Sequence, residues 1–121
     1  PLRNRSLCYY DANEHPGVKG YVALTIDDAP CLLQRNNSLV GDVRALLREH
    51  GAKATFMLVG NNAEGHEADL VDLLRDGHEL ANHGMLDRPY HEDTREEFSQ
   101  AVSSCSGKIL KLQREAGVPE G

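Results

Sequence analysis

Two adjacent carboxylates, Asp27 and Asp28, follow an apolar run and are the first pair in the sequence whose types suggest chemistry. Neighbouring carboxylates repel each other and lose hydration beside a buried strand, and a bound cation relieves both penalties. Because adjacent side chains of an extended segment point in opposite directions, one carboxylate could hold a metal while the other faces a different group. A helix cap or a solvated loop is the alternative interpretation of this pair.

His83, Asp87 and His91 follow one another at intervals of four residues, just after a predicted strand. Histidine and carboxylate side chains are common zinc ligands, so this spacing favours a metal site. His78 and Glu79 match the start of the helical zinc motif HExxH, but residue 82 is Asn and the motif is broken. We therefore expect a metal site after the strand rather than a helical zinc site, with an isolated structural histidine as the alternative.

Three short segments, of which the first two are mainly apolar, predict the strands that position these side chains, and they cover residues 21–26, 54–59 and 78–83. The first is almost continuously apolar and β-branched, which is typical of a strand buried on both faces of a parallel sheet. We expect this strand to end abruptly before Asp27. The predicted carboxyl ends, where α/β sheets carry their sites, lie at residues 27–28, 60–62 and 82–91.

Apolar residues recur at helical spacing in three further segments, one after each predicted strand. Thr94 and Glu97 have the spacing of a capping box at the start of the last helix, and Asn37 or Ser38 can cap the first. The three predicted helices end at glycines, which are Gly51, Gly77 and Gly117. The order β-α-β-α-β-α implies an α/β fold with parallel strands alternating with helices.

The composition limits the class of protein to a folded domain of modest size. The chain has 121 residues, which suits one domain and is short of the ~250 residues of a complete β/α barrel. Its net charge of -6 argues against binding to nucleic acid or an anionic membrane, and no apolar run approaches the ~20 residues that span a bilayer. The sequence has no CxxC pair, because its three cysteines are widely spaced at Cys8, Cys31 and Cys105. This spacing argues against a cysteine-based zinc knuckle.

Three segments resemble motifs of the polysaccharide deacetylases, the NodB-homology family that is similar to carbohydrate esterase family 4. Residues 22–30 resemble the family's TFDDGP motif, residues 51–56 resemble its second strand, and residues 76–83 resemble its GHEIGNH segment. The matches occur in the family's order over residues 21–117, so together they are far more specific than any one alone. The resemblance implies a partial distorted (β/α) barrel of the NodB-homology type.

The family that this sequence resembles removes N- or O-acetyl groups from chitin, peptidoglycan or xylan with a divalent metal, usually zinc. By resemblance, Asp27 would be the catalytic general base, and Asp28 and His83 would be metal ligands. The fifth position of the family's H-[ST]-x-x-H pattern, usually a second His, is Asp87 here, and Gly84 stands in the Ser/Thr position. A carboxylate is a sound zinc ligand, so the resemblance favours a site of Asp28, His83 and Asp87.

An alternative ligand and two departures from the family pattern affect this interpretation. His91, eight residues after the predicted histidine ligand, is the alternative third ligand. Ala29 stands where the family has Gly, and we expect it to stiffen the loop. The family's later Arg-Pro and Leu-x-His segments, the second of which brings the general acid, are missing from this sequence. We therefore expect residues 1–20 to be an irregular N-terminal segment and residues 21–121 to be the N-terminal portion of a deacetylase-like domain.

The resemblance implies a metal-dependent polysaccharide deacetylase, an acetyl hydrolase of carbohydrate metabolism whose partner is an acetylated polysaccharide or oligosaccharide. It also implies a secreted or wall-associated protein, and a fragment with little or no turnover by itself. A non-catalytic relative that binds only metal or glycan is one alternative. A magnesium-binding receiver domain is another, but its central strand would end in Asp, whereas the second strand here is followed by Gly60, Asn61 and Asn62.

Overall fold

The computed structural model of the chain describes residues 13, 16, 17, 20, 22–34 and 37–119, without the side chains of residues 33 and 34. The predicted irregular N-terminal segment, residues 1–20, therefore lies outside the described residues except at four positions. No helix in the described part of the chain has the length and apolarity that crossing a membrane requires.

Strands and helices alternate along the described chain. The elements in order are β1 (Thr25–Ala29), β2 (Leu32–Gln34), β3 (Asn37–Ser38), α1 (Val40–Glu49), β4 (Thr55–Leu58), a 3₁₀ turn (Gly60–Ala63), α2 (Glu67–Arg75), β5 (Glu79–Asn82) and α3 (Arg95–Ala116). Strands β1, β4 and β5 form a parallel sheet in the order β1-β4-β5, which confirms the predicted α/β class. The antiparallel hairpin of β2 and β3 is an addition that the sequence did not predict, because such short strands carry no readable period of two.

Strand β1 differs from its prediction in both position and burial. It begins at Thr25 and runs through the two carboxylates to Ala29, so the prediction that it ends before them is wrong. The prediction of burial on both faces is also wrong, since Val22 is 91% exposed and Leu24 is 42% exposed. Within the described residues β1 pairs with β4 alone, so it is an edge strand with little cover on its outer side.

The pairing of β1 with β4 shifts by one residue at the two carboxylates. Ile26 lies opposite Phe56 and Ala29 lies opposite Leu58, so three steps along β1 match two along β4. This extra residue is a β-bulge, and Asp28 within it has a φ of 61°. A bulge changes the direction of its side chains, so the simple alternation expected of an extended strand does not describe this pair.

The core lies between the parallel sheet and the helices that pack on it. In β4, Phe56 and Leu58 are completely buried while the residues between and before them are only partly buried, which is the period of two expected for a strand. Helix α2 contributes apolar side chains at helical spacing, and α3 packs against both α2 and β5. The largest fully buried side chains are Phe56, Leu58, Leu70, Leu73, Val40, Val59, Pro30 and Cys105.

The predicted helix ends are largely confirmed. Thr94 and Glu97 form the expected capping box at the start of α3, and Gly117 ends that helix with a φ of 72°. The residue before α1 is Leu39 rather than the predicted Asn37 or Ser38. Ser38 still serves the helix, because its hydroxyl accepts a hydrogen bond of 3.1 Å from the Val40 amide.

Candidate metal centre

Three of the predicted site residues meet at the carboxyl edge of the parallel sheet. Asp28 lies in β1, His83 follows directly after β5, and Asp87 lies in the loop between β5 and α3. The backbone amide of His83 donates a hydrogen bond of 3.0 Å to the carbonyl of Leu58, which continues the pairing of β5 with β4. Pairing with the central strand therefore restrains the chain on both sides of Asp28, at Ile26 and Ala29, and at His83 itself.

The ligand atoms of these residues lie at distances that suit one shared cation. Asp28 Oδ1 is 3.2 Å from His83 Nε2, and one ligand atom of Asp87 completes a group whose members are all within 4.8 Å of one another. Tetrahedral zinc with bonds of about 2.0–2.2 Å holds its ligand atoms about 3.3–3.6 Å apart. Two carboxylates and one imidazole therefore fit zinc, and such a mixed oxygen and nitrogen set also fits other divalent metals.

The cluster is open to solvent. The side chain of Asp28 is 53% exposed and that of His83 is 38% exposed, and Asp87 is exposed as well. Asp28 and Asp87 bring two carboxylates to one place, so the arrangement attracts a cation. A cation held here would remain accessible to water and to a substrate from outside.

Asn82 fixes the backbone on both sides of His83. Its amide nitrogen donates hydrogen bonds of 2.8 Å to the Val102 carbonyl and to the Ser106 hydroxyl, both on α3. Its amide oxygen accepts a hydrogen bond of 2.8 Å from the Gly84 amide. The side chain thus ties the end of β5 to a helix and to the next loop, which orients the candidate histidine ligand.

The loop that carries Asp87 is ordered by pairs of its own side chains. Arg88 donates two hydrogen bonds to the Asp93 carboxylate, of 2.7 Å and 2.9 Å, and its guanidinium lies 4.6 Å from the centre of the Tyr90 ring. The Tyr90 ring also meets Phe98 edge to face at 5.8 Å. No pattern in the sequence predicts the Arg88–Asp93 pair, because a separation of five residues in a loop matches no helical or strand period.

The segment that follows β4 is hydrogen-bonded to the start of this loop. The amide of Gly60 donates a hydrogen bond of 2.9 Å to the Gly84 carbonyl, and the amide of Asn61 donates one of 3.0 Å to the Met85 carbonyl. Val59 and Gly60 stand directly after the central strand, where a receiver domain would require an aspartate. This arrangement opposes the receiver-domain alternative.

Asp27 lies beside Asp28 at the start of a tight turn. It is exposed, and it is outside the group of three ligand atoms found among the described residues. The Cys31 amide donates a hydrogen bond of 2.7 Å to the Asp28 carbonyl, which closes the turn around a cis Ala29–Pro30 peptide. Burial, followed by the nearby Asp28 charge, raises the pKa of the Cys31 thiol, so this thiol stays protonated beside the cluster.

The remaining histidine candidates occupy different surroundings. The side chain of His91, the alternative third ligand, is 74% exposed, lies 3.7 Å from Glu92, and is not a member of the cluster found among the described residues. His78 is buried, and its Nδ1 accepts a hydrogen bond of 3.2 Å from the Ala54 amide. His78 therefore has a structural place at the start of β5, in a strand context that agrees with the rejection of HExxH.

Comparison with known proteins identifies relatives among the polysaccharide deacetylases. The family model for polysaccharide deacetylases matches residues 14–117. A peptidoglycan-N-acetylglucosamine deacetylase of Bacillus cereus is 36% identical over 62% of this chain and 26% of its own length. A chitooligosaccharide deacetylase of Sinorhizobium fredii is 30% identical over 80% of this chain and 43% of its own length. The chain thus spans less than half the length of these curated relatives.

Solved structures agree with this family match. The crystal structure of a peptidoglycan N-acetylglucosamine deacetylase shares 27% identity with a TM-score of 0.67, over 74% of this chain and 40% of that one. A family 4 acetyl xylan esterase from Clostridium thermocellum, solved in complex with a cobalt ion, shares 25% identity with a TM-score of 0.60, over 79% of this chain and 43% of that one. The expected partial barrel of this type is confirmed by the likeness, and the chain belongs to the polysaccharide deacetylase family.

Proposed function

We propose that this chain carries the metal site and the general base of a divalent-metal-dependent deacetylase that acts on an acetylated polysaccharide. The observation that carries the proposal is the approach of Asp28 Oδ1 to His83 Nε2 at 3.2 Å, with a ligand atom of Asp87 in the same group. Zinc is the proposed metal, because a histidine and two carboxylates are among its usual protein ligands. Residues 21–121 form the N-terminal portion of the domain in this proposal.

The chain's own residues would divide the chemistry between them. When bound, a divalent cation supplies Lewis acidity, which lowers the pKa of water and polarises a carbonyl group. Asp28 and Asp87 would offset its charge, and His83 would bind through the lone pair of Nε2. Asp27, exposed next to the cluster, would accept the proton of the attacking water as general base.

The relatives and the open site support the proposed substrate class. Two curated relatives act on peptidoglycan N-acetylglucosamine and on chitooligosaccharides, so we propose an acetylated saccharide polymer. The exposure of Asp28 and His83 suits a long substrate that lies across the edge of the sheet. A secreted or wall-associated location is part of the same proposal, since that is where such polymers occur.

Zinc titration by calorimetry tests the proposed ligands. We expect the wild-type chain to bind Zn²⁺ with micromolar or tighter affinity, and both His83→Ala and Asp87→Ala to lose this binding. His91→Ala is the matched control, because it removes an exposed histidine from the same loop and should bind like the wild type. Each variant removes one side chain at the surface of the edge, so circular dichroism should show that all of them remain folded.

Two outcomes would contradict the assignment. Normal zinc binding by Asp87→Ala together with loss of binding in His91→Ala would show that the third ligand is His91 and not Asp87. A wild-type chain that is folded by circular dichroism but does not bind zinc, cobalt or manganese would refute the proposed metal site itself.

A further inference from the structure

Asp87 is held differently from the other two candidate ligands. Asp28 lies within a paired strand, and the His83 amide bonds to Leu58 in the central strand. Asp87 lies in the loop between β5 and α3, outside the strands of the described residues. Its position must therefore depend on contacts made by neighbouring loop residues.

The hydroxyl of Tyr90 makes two contacts within this loop, beside the hydrogen bond of 3.1 Å that the Arg88 amide donates to the Leu86 carbonyl. It accepts a hydrogen bond of 3.0 Å from the Leu86 amide and donates one of 2.9 Å to the Leu86 carbonyl. Both backbone groups of the residue directly before Asp87 are thus bound to one side chain. These bonds join the two ends of the segment from Leu86 to Tyr90, and Asp87 is part of this segment.

Further contacts hold the Tyr90 ring in this position. Phe98 meets it edge to face from α3, and the Arg88 guanidinium lies 4.6 Å from the ring centre. Gly84, with a φ of 80°, leaves the space that the hydroxyl occupies, since a Cβ at this residue would lie 2.5 Å from the Tyr90 oxygen. Gly84 and Tyr90 are therefore matched to each other in size and in backbone conformation.

We propose that Tyr90 is a positioning residue for Asp87, so that metal affinity depends on the phenolic hydroxyl although this hydroxyl is not itself a ligand. The inference rests on the metal site proposed above. Without the two bonds to Leu86, the loop would sample more conformations, and metal binding would have to order it. Loss of a group that orients a metal ligand typically weakens metal affinity by about 10- to 100-fold.

The test is Zn²⁺ titration by calorimetry of the wild type and of Tyr90→Phe, which keeps the ring contacts and removes only the hydroxyl. We expect Tyr90→Phe to bind zinc about tenfold more weakly. The melting temperature of the metal-free protein should be nearly unchanged, whereas its increase on adding zinc should be smaller. A role in stability alone predicts the reverse pattern, with a lower metal-free melting temperature and unchanged zinc affinity.

Thr55→Val is the matched control for loss of a hydroxyl. Thr55 donates a hydrogen bond of 2.6 Å to Glu79 at the first residues of β4 and β5, which is the opposite end of the sheet. We expect this variant to bind zinc like the wild type. If Tyr90→Phe binds as tightly as a zinc-binding wild type, or if Thr55→Val loses as much affinity, this inference is overturned and the proposed function stands. A wild type that binds no zinc overturns both.

Discussion

Asp28 has a backbone φ of 61°, in the left-handed region where Asp and Asn are among the few residues other than glycine that are tolerated. Such conformations cost of order 1–3 kcal/mol and persist where the surrounding structure imposes them. The bulge in β1 imposes this one, and the Asp28 carboxylate lies 3.2 Å from the His83 imidazole. The strained residue is thus also the one that the proposed cation would require.

His78 gives the stability of this protein a predicted pH dependence. Its Nδ1 accepts a hydrogen bond from Ala54, which requires an unprotonated nitrogen. Burial, with the charge of Lys53 acting in the same direction, lowers the pKa of His78 below its ordinary value of 6.5. The unfolded chain then binds the proton at a higher pH than the folded chain does. The free energy of unfolding should therefore fall as the pH drops below 6.5 toward the folded pKa, which urea denaturation at a series of pH values measures.

Two histidine variants isolate this contribution. His78→Asn keeps an acceptor for the Ala54 amide but does not titrate, so we expect a flatter dependence of the unfolding free energy on pH. His50→Asn removes an exposed histidine after α1 and should keep the wild-type dependence. An unaltered dependence in His78→Asn would show that other groups cause the loss of stability in acid.

The capping box at the start of α3 ends the loop that carries Asp87. The Thr94 hydroxyl accepts a hydrogen bond of 3.2 Å from the Glu97 amide, and the Glu97 carboxylate accepts one of 2.8 Å from the Thr94 amide. Thr94→Ala removes the first of these bonds, so we expect the free energy of unfolding to fall by about 1 kcal/mol. Urea denaturation at neutral pH measures this change.

Ser99→Ala is the control for this prediction. Ser99 lies on an exposed position of α3, and alanine has the higher helix propensity, so stability should be equal to or slightly above that of the wild type. Equal stability of Thr94→Ala and the wild type would mean that the end of α3 is held by packing rather than by its cap.

The candidate site lies at the carboxyl ends of the parallel strands, on a surface that is open to solvent. The side chains of Asp28 and His83 are 53% and 38% exposed, so water surrounds the position where charge would develop. Electrostatic stabilisation of a transition state is far weaker in such a wet site than in a closed one. We therefore expect the purified chain to release acetate from N-acetylated chitooligosaccharides far more slowly than the ~10 per second typical of enzymes.

An assay of acetate release with the wild type and Asp27→Asn checks this expectation. Turnover at an ordinary enzymatic rate that disappears in Asp27→Asn would contradict it, and would show that these residues are sufficient for catalysis. A trace activity that is equal in both proteins would agree with it, because it would not depend on the proposed general base.

Much of the fold could be predicted from the sequence because the relevant signals are local. The observed β4 and β5 each fall one residue inside the predicted limits at both ends, and the capping box and terminal glycine of α3 are where the spacing indicated. A hydrophobic period or a capping pair acts within a few residues, so it needs no knowledge of the rest of the chain. The same local order, with the rule that sites lie at carboxyl ends of parallel strands, was enough to direct attention to Asp28 and His83.

Other features depend on partners that are distant in the sequence, so no local pattern predicts them. The exposure of β1 follows from its place at the edge of the sheet, and the bulge at Asp28 follows from its register against β4. The hydroxyl of Tyr90 binds the backbone of Leu86 beside Gly84, a contact that no local pattern in the sequence indicates. Sequence patterns report which residues prefer a strand, a helix or a turn, whereas register, edge position and loop closure are set by three-dimensional contacts.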